Sequence, residues 1–137
     1  MRPLRLLQTF RKVIAPDAPR WPATVWLVAL CCLAWLYLFG PQPPTDRLFG
    51  DVTTDKLFHI GAFATVTLLA CRSSTASLSW LISVSTVMIG CAVGFEWLQG
   101  FVPGRDHSVQ DDVANLLGIA LVIPVWWTAG RRKAMSS

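Results

Sequence analysis

Charged residues are scarce in this chain: Asp, Glu, Lys and Arg make up 15% of its 137 residues, hydrophobic residues 53%, and the mean hydropathy is +0.49. So few charges cannot coat a soluble domain, and the length leaves room for one compact unit. The four cysteines, Cys31, Cys32, Cys71 and Cys91, show no CxxC spacing. None falls in an outer loop, so a disulfide framework is excluded and small apolar packing residues are expected. There is no nucleophile elbow, no phosphatase motif and no metal-ligand spacing, and neither a cofactor nor a resident metal is expected. The formal charge of +4 is a topology signal and implies no nucleic-acid partner.

Four apolar segments account for most of the chain: 23–39, 57–71, 78–98 and 113–127. Among them only His59 and Glu96 can carry charge near neutrality. A membrane span needs roughly 17 to 25 residues, so the second and fourth segments are short on their own. Each is completed at its amino end by polar residues. A second helix starting near Thr53 and a fourth starting at Ser108 or Val109 both reach spanning length. Ser108 to Asp111 also forms a weak capping signal, with Asp standing where Glu is usual. The expected fold class is therefore all-α, an integral membrane four-helix bundle over residues 21–130. A cytoplasmic tail, 1–20, precedes it, and a basic tail, 131–137, follows. In the first tail Leu6, Leu7, Phe10, Val13 and Ile14 recur at helical spacing opposite Arg5, Gln8, Arg11 and Lys12. That pattern suits a short amphipathic helix along the inner leaflet, with a solvated topogenic tail as the alternative. No small-x-small cleavage site precedes Gly40, which favours an uncleaved anchor over a signal peptide.

Lys and Arg fall nine to one side and three to the other, the three being Arg47, Lys56 and Arg105. By the positive-inside rule both termini are cytoplasmic, which places the chain in the inner (cytoplasmic) membrane. Seven of the eight acidic residues lie on the outer side, with Asp17 inside.

The outer side carries the densest pattern. Residues 96–118 read EWLQGFVPGRDHSVQDDVANLLG, and a second cluster, Asp55, Lys56 and His59, opens the second apolar segment. Ionisable groups at membrane depth are costly and usually mark function. These two blocks, Asp55, Lys56 and His59, then Glu96, Gln99, Pro103, Arg105, Ser108, Asp112, Asn115 and Gly118, resemble the pattern of the VanZ-like family over roughly residues 50 to 125. That family is named after an accessory protein of glycopeptide-resistance clusters linked to teicoplanin resistance. The resemblance implies a small envelope-associated membrane protein, in some members with lowered lipoglycopeptide susceptibility, and it supplies no established reaction. One position departs from it: four residues after His59 many relatives have tyrosine, and this chain has Phe63, so a hydroxyl that would join the polar network is missing there. His107 is not part of the pattern.

At 100 degrees per residue, Glu96, Gln99 and Ala92 share one face of the third helix. Asp55, Lys56, His59 and Phe63 share one on the second, and Ser108, Asp111, Asp112 and Asn115 one on the fourth. Three polar arcs at one depth satisfy one another only by facing a common interior. Lys56, His59, Glu96, Gln99, Arg105, Asp112 and Asn115 are thus the candidate ligand-binding residues. Lys56 and Arg105 are suited to a phosphate, pyrophosphate or carboxylate of an amphiphile. Glu96 and His59 are the candidate proton-transfer pair, with Asp112 orienting His59 or pairing with Arg105. The simpler alternative makes Glu96 with Lys56, and Asp112 with Arg105, neutralised pairs that lock the helices. A metal site from His59, Glu96 and Asp112 fits by ligand type alone. Two functions follow: a non-enzymatic module binding an envelope lipid, a lipid-linked wall precursor or a partner protein, or a membrane enzyme acting on an anionic amphiphile at the outer leaflet through Glu96 or His59. Gly90 and Gly94 form a GxxxG pair on the far side of the third helix, suited to a neighbouring helix or to homo-oligomer contact.

Overall fold

The computed structural model describes residues 22–41, 47–49, 52–73, 77–105 and 107–134. Four helices are present among them: α1 (Ala23–Phe39), α2 (Thr54–Arg72), α3 (Leu78–Gln99) and α4 (Val109–Ala134). The expected tail 1–20 lies outside the described residues, and the segment assigned to the basic tail from 131 continues α4 as far as Ala134.

Each helix begins and ends where the local chemistry dictates. α1 is apolar throughout, starts after Pro22 and stops at Gly40, whose N–H returns to the Leu36 carbonyl at 3.0 Å; Pro41 follows, and the residue before a proline disfavours helix. α2 starts within a residue of the expected Thr53, with Asp55 in its first turn and Arg72 in its last, each favourable against the helix dipole. Ser77 caps α3 by accepting the Trp80 N–H at 3.2 Å. α4 starts at Val109, as expected, and continues through Pro124. Of the capping signal before it one half is present, a long 3.4 Å bond from the Asp111 N–H to Ser108 Oγ; the Asp111 side chain turns elsewhere.

One departure from an all-helical chain is a two-stranded antiparallel ribbon, β1 (Arg47–Phe49) with β2 (Val52–Thr53), in the connection between α1 and α2. Two and three residues are too few for alternation to be visible in sequence.

The short α2–α3 and α3–α4 connections put the carboxyl ends of α1 and α3 beside the amino ends of α2 and α4. α2 and α4 therefore run parallel, and theirs is the most extensive helix contact in the bundle. The reason is Gly118: a Cβ there would collide with the Ile60 carbonyl and stand 3.0 Å from the Ala64 nitrogen. Below the polar end the core comprises Phe63, Val66, Leu81, Val84, Met88, Ala92, Ile119 and Trp126. Trp126 is buried in the bundle. The outer surface is apolar: Val28, Trp35, Ile82, Trp97, Val113 and Leu121 are all exposed. α3 and the 109–129 stretch of α4 are long and apolar enough to cross a membrane, with only 22% and 28% of their spanning windows buried in the protein. A Cβ at Gly90 or Gly94 would meet nothing within 4 Å, so among the described residues no helix packs against that pair.

Candidate functional site

The polar end of the bundle is built in layers. The deepest begins with Phe63 and Phe95, which meet the Tyr37 ring at centroid distances of 5.6 and 5.9 Å and close the site from below. Above them, one side chain from each helix enters a buried network. The Tyr37 hydroxyl donates to Asn115 Oδ1 at 2.6 Å and lies 2.7 Å from His59 Nδ1. His59 Nδ1 is also 3.0 Å from Asn115 Oδ1 and 3.6 Å from Glu96 Oε1, while Asn115 Nδ2 donates to Glu96 Oε1 at 3.5 Å. Glu96 and Asn115 are 0% exposed and His59 6%. Glu96 Oε2 has no hydrogen-bond partner among the described residues.

This network sets the proton positions on His59. The Tyr37 proton is committed to Asn115 Oδ1, an oxygen that can only accept. Tyr37 Oη and Asn115 Oδ1 are then both acceptors toward Nδ1, so Nδ1 carries a hydrogen. The other ring nitrogen, Nε2, points to the rim, 3.4 Å from Asp55 Oδ1.

The rim is formed by Asp55, Lys56 and Asp111, whose side chains are 18%, 22% and 15% exposed. Lys56 Nζ donates to Asp111 Oδ1 at 3.0 Å. The parallel α2–α4 pair thus carries a ladder: Lys56 to Asp111, His59 to Asn115, then the bare approach of Gly118 to Ile60 and Ala64. Gln99 and Arg105 fasten the connections instead. Gln99 Nε2 donates to the Tyr37 carbonyl at 2.7 Å, and the Arg105 guanidinium donates to the Gly40 carbonyl. Gly104, with φ +81°, makes the turn that delivers Arg105; only glycine adopts that conformation without strain.

Of the expected site residues, His59, Glu96 and Asn115 meet directly, and Gln99 and Lys56 border them. The proposed locking pairs are corrected. Lys56 bonds Asp111 and not Glu96, because α2 and α4 lie side by side with their first turns level. Arg105 reaches a backbone carbonyl and not Asp112. Asp112 pairs through Oδ2 with the exposed His107 Nε2 at 3.2 Å, so it does not orient His59. Three participants were not among the candidates: Tyr37, Asp55 and Asp111. Tyr37 supplies a hydroxyl next to Phe63, where the resemblance suggested that one was lost. It is the chain's one tyrosine, a signal that an unbroken apolar run conceals.

No family model, no curated protein and no solved structure matches the chain. The chemistry of the site therefore rests on its own geometry. Among the described residues, this end of the apolar body gathers the side chains of Asp55, Glu96, Asp111 and Asp112 together with Lys56 and Arg105. An open groove of ≈ 410 Å³ begins beside the rim, between α1 and α2, lined by Leu36, Leu57, Phe58 and Gly61 among others.

Proposed function

We propose that the chain is a four-span membrane protein of VanZ-like type. In this reading it is a binding module without catalytic activity, whose extracytoplasmic end receives the head of an envelope lipid or lipid-linked wall precursor. The observation that carries this is the coincidence of a convergent polar end with an apolar exterior on all four helices. Contiguous exposed apolar surface of this extent is rare on soluble proteins and ordinary against lipid. The groove between α1 and α2 starts at Leu57 and Phe58, the residues flanked by Lys56 and His59, so a headgroup at the rim places its acyl or prenyl chain against that groove.

Enclosure argues against the enzymatic alternative. Glu96 is 0% exposed and bordered by His59 and Asn115, so it has no direct access to a substrate. Its role in this reading is to hold His59. The altered glycopeptide susceptibility implied by the resemblance would then be a consequence of sequestering an envelope component.

Native mass spectrometry of the full chain with added polyprenyl phosphate tests the proposal. The parent is expected to retain the lipid. Arg105→Lys, which loses the two-donor fork, and Lys56→Gln are each expected to weaken retention about tenfold, the scale of one lost hydrogen bond to a charged group. Equal retention by all three proteins, at equal thermal stability in detergent, would overturn the assignment of a headgroup site.

A further inference from the structure

We propose that the groove between α1 and α2 is a slot for one hydrocarbon chain, shaped by Gly61, which selects a single-chain anionic amphiphile of the polyprenyl phosphate class over two-chain phospholipids. The slot deepens, and rests on, the reading of the rim as a headgroup site. It runs inward from Leu36, Leu57 and Phe58 beside the rim to Ala29 and Thr65. Phe58 to Thr65 is about 10 Å of helix, roughly a third of the hydrocarbon core.

Small residues open this seam. Gly61 and Ala62 line it from α2 and Ala29 from α1, while Leu33 and Val66, each 5% exposed, are its buried lining. A Cβ at Gly61 would meet nothing within 4 Å, in contrast to Gly118, whose place is filled by the α2 backbone. Glycine is a poor helix former, and the packing of the described residues does not call for one at position 61. What its missing side chain leaves is room. The wall is also kept apolar, because Thr65 Oγ1 donates to the Gly61 carbonyl at 2.8 Å and so spends its hydroxyl within the helix.

In a bilayer such a seam must be covered by hydrocarbon, and the charge at its mouth says which kind. Lys56 directly precedes Leu57, with its side chain 22% exposed, so an anionic head held there tethers its own chain at the entrance. A further helix is about 10 Å across and rests on the flanks of a seam between two packed helices, whereas one chain lies along it. Lipid tails are as apolar as the protein surface, so the gain comes from packing into the slot. The second chain of a phospholipid has no such slot, yet it loses freedom when its head is fixed.

Two adjacent cysteines report on the slot. Cys32 lines it, and Cys31 is exposed but not in its lining. The test is the rate of N-ethylmaleimide alkylation at each, read by fragmentation mass spectrometry on the full chain in detergent. Polyprenyl phosphate at about ten times its Kd is expected to slow Cys32 about tenfold, through occupancy, and to leave Cys31 unchanged. Diacyl phosphatidylglycerol is expected to protect neither. Gly61→Leu is expected to be at least as heat-stable as the parent, yet to retain polyprenyl phosphate roughly tenfold less well in native mass spectrometry, the contact of some two methylenes. Gly90→Leu is expected to retain it like the parent. Retention that depends on Lys56 while Cys32 stays unprotected would overturn the slot and leave the headgroup reading standing; no retention at all would remove both. Equal protection by the diacyl lipid would overturn the single-chain selection. Shielding of Cys32 that grows with protein concentration, without lipid, would make a second copy of the chain the occupant.

Discussion

The hydroxyl of Tyr37 is a small group with two obligations, since it donates to Asn115 Oδ1 and accepts from His59 Nδ1 while its ring packs edge-on against Phe63. Tyr37→Phe keeps the ring and removes the oxygen, leaving two buried polar groups each short of a partner. The expected cost is about 1 to 3 kcal/mol, read as a lower midpoint for unfolding in detergent–SDS mixtures. An unchanged midpoint would show that His59 and Asn115 satisfy each other without it. At this scale the sequence was partly legible. His59, Glu96 and Asn115 stood out because polar groups in apolar runs are expensive. Tyr37 did not, because its ring is as apolar as its neighbours and only the tertiary fold shows where its oxygen goes. Asp55 and Asp111 lay on the correct helical arcs, yet side-chain partners across helices depend on register, and register was not visible.

Register between α2 and α4 is set by a glycine. In an exposed helix interior, Gly→Ala stabilises by about 1 kcal/mol through backbone entropy. At Gly118 the new methyl would meet the Ile60 carbonyl and the Ala64 nitrogen, backbone atoms with no rotamer to escape into. The clash decides the sign. Gly118→Ala is expected to destabilise by about 1 to 3 kcal/mol and to loosen Lys56–Asp111 and His59–Asn115 together, visible as faster hydrogen exchange in the first turns of both helices. Gly90→Ala and Gly94→Ala are the controls. Each is expected to leave the fold at least as stable as the parent, so that any loss they cause should appear in self-association, measured by light scattering. A destabilised monomer in either control would contradict the outward placement of that pair. The helices themselves were the most legible elements: α1 coincides with its apolar run, and α2 and α4 start at the polar residues needed to complete their length. The ribbon of Arg47–Phe49 with Val52–Thr53 was not, being too short to carry a period.

Over the whole molecule, charge and hydropathy point to one orientation. The described acidic residues Asp55, Glu96, Asp111 and Asp112 gather at the end where α1 and α3 finish and α2 and α4 begin, whereas Arg72 ends α2 at the opposite end. At about 1.5 Å per residue α1 is roughly 26 Å long and α3 roughly 33 Å, lengths that bracket the hydrocarbon thickness of a bilayer. An odd number of spans would put the two basic termini on opposite faces; the four spans proposed here would put both on one face, and the nine-to-three division of Lys and Arg favours the inner one. Single cysteines placed at His107 and Ser77, both exposed at connections on opposite ends, test this in a background lacking Cys31, Cys32, Cys71 and Cys91. An impermeant maleimide added to intact cells is expected to label position 107 and to spare position 77 until the inner face is opened. The reverse pattern would invert the protein and carry the proposed headgroup rim to the cytoplasmic leaflet. Labelling of both from one side would break the four-span topology itself, because the two positions are separated by a single passage of α3.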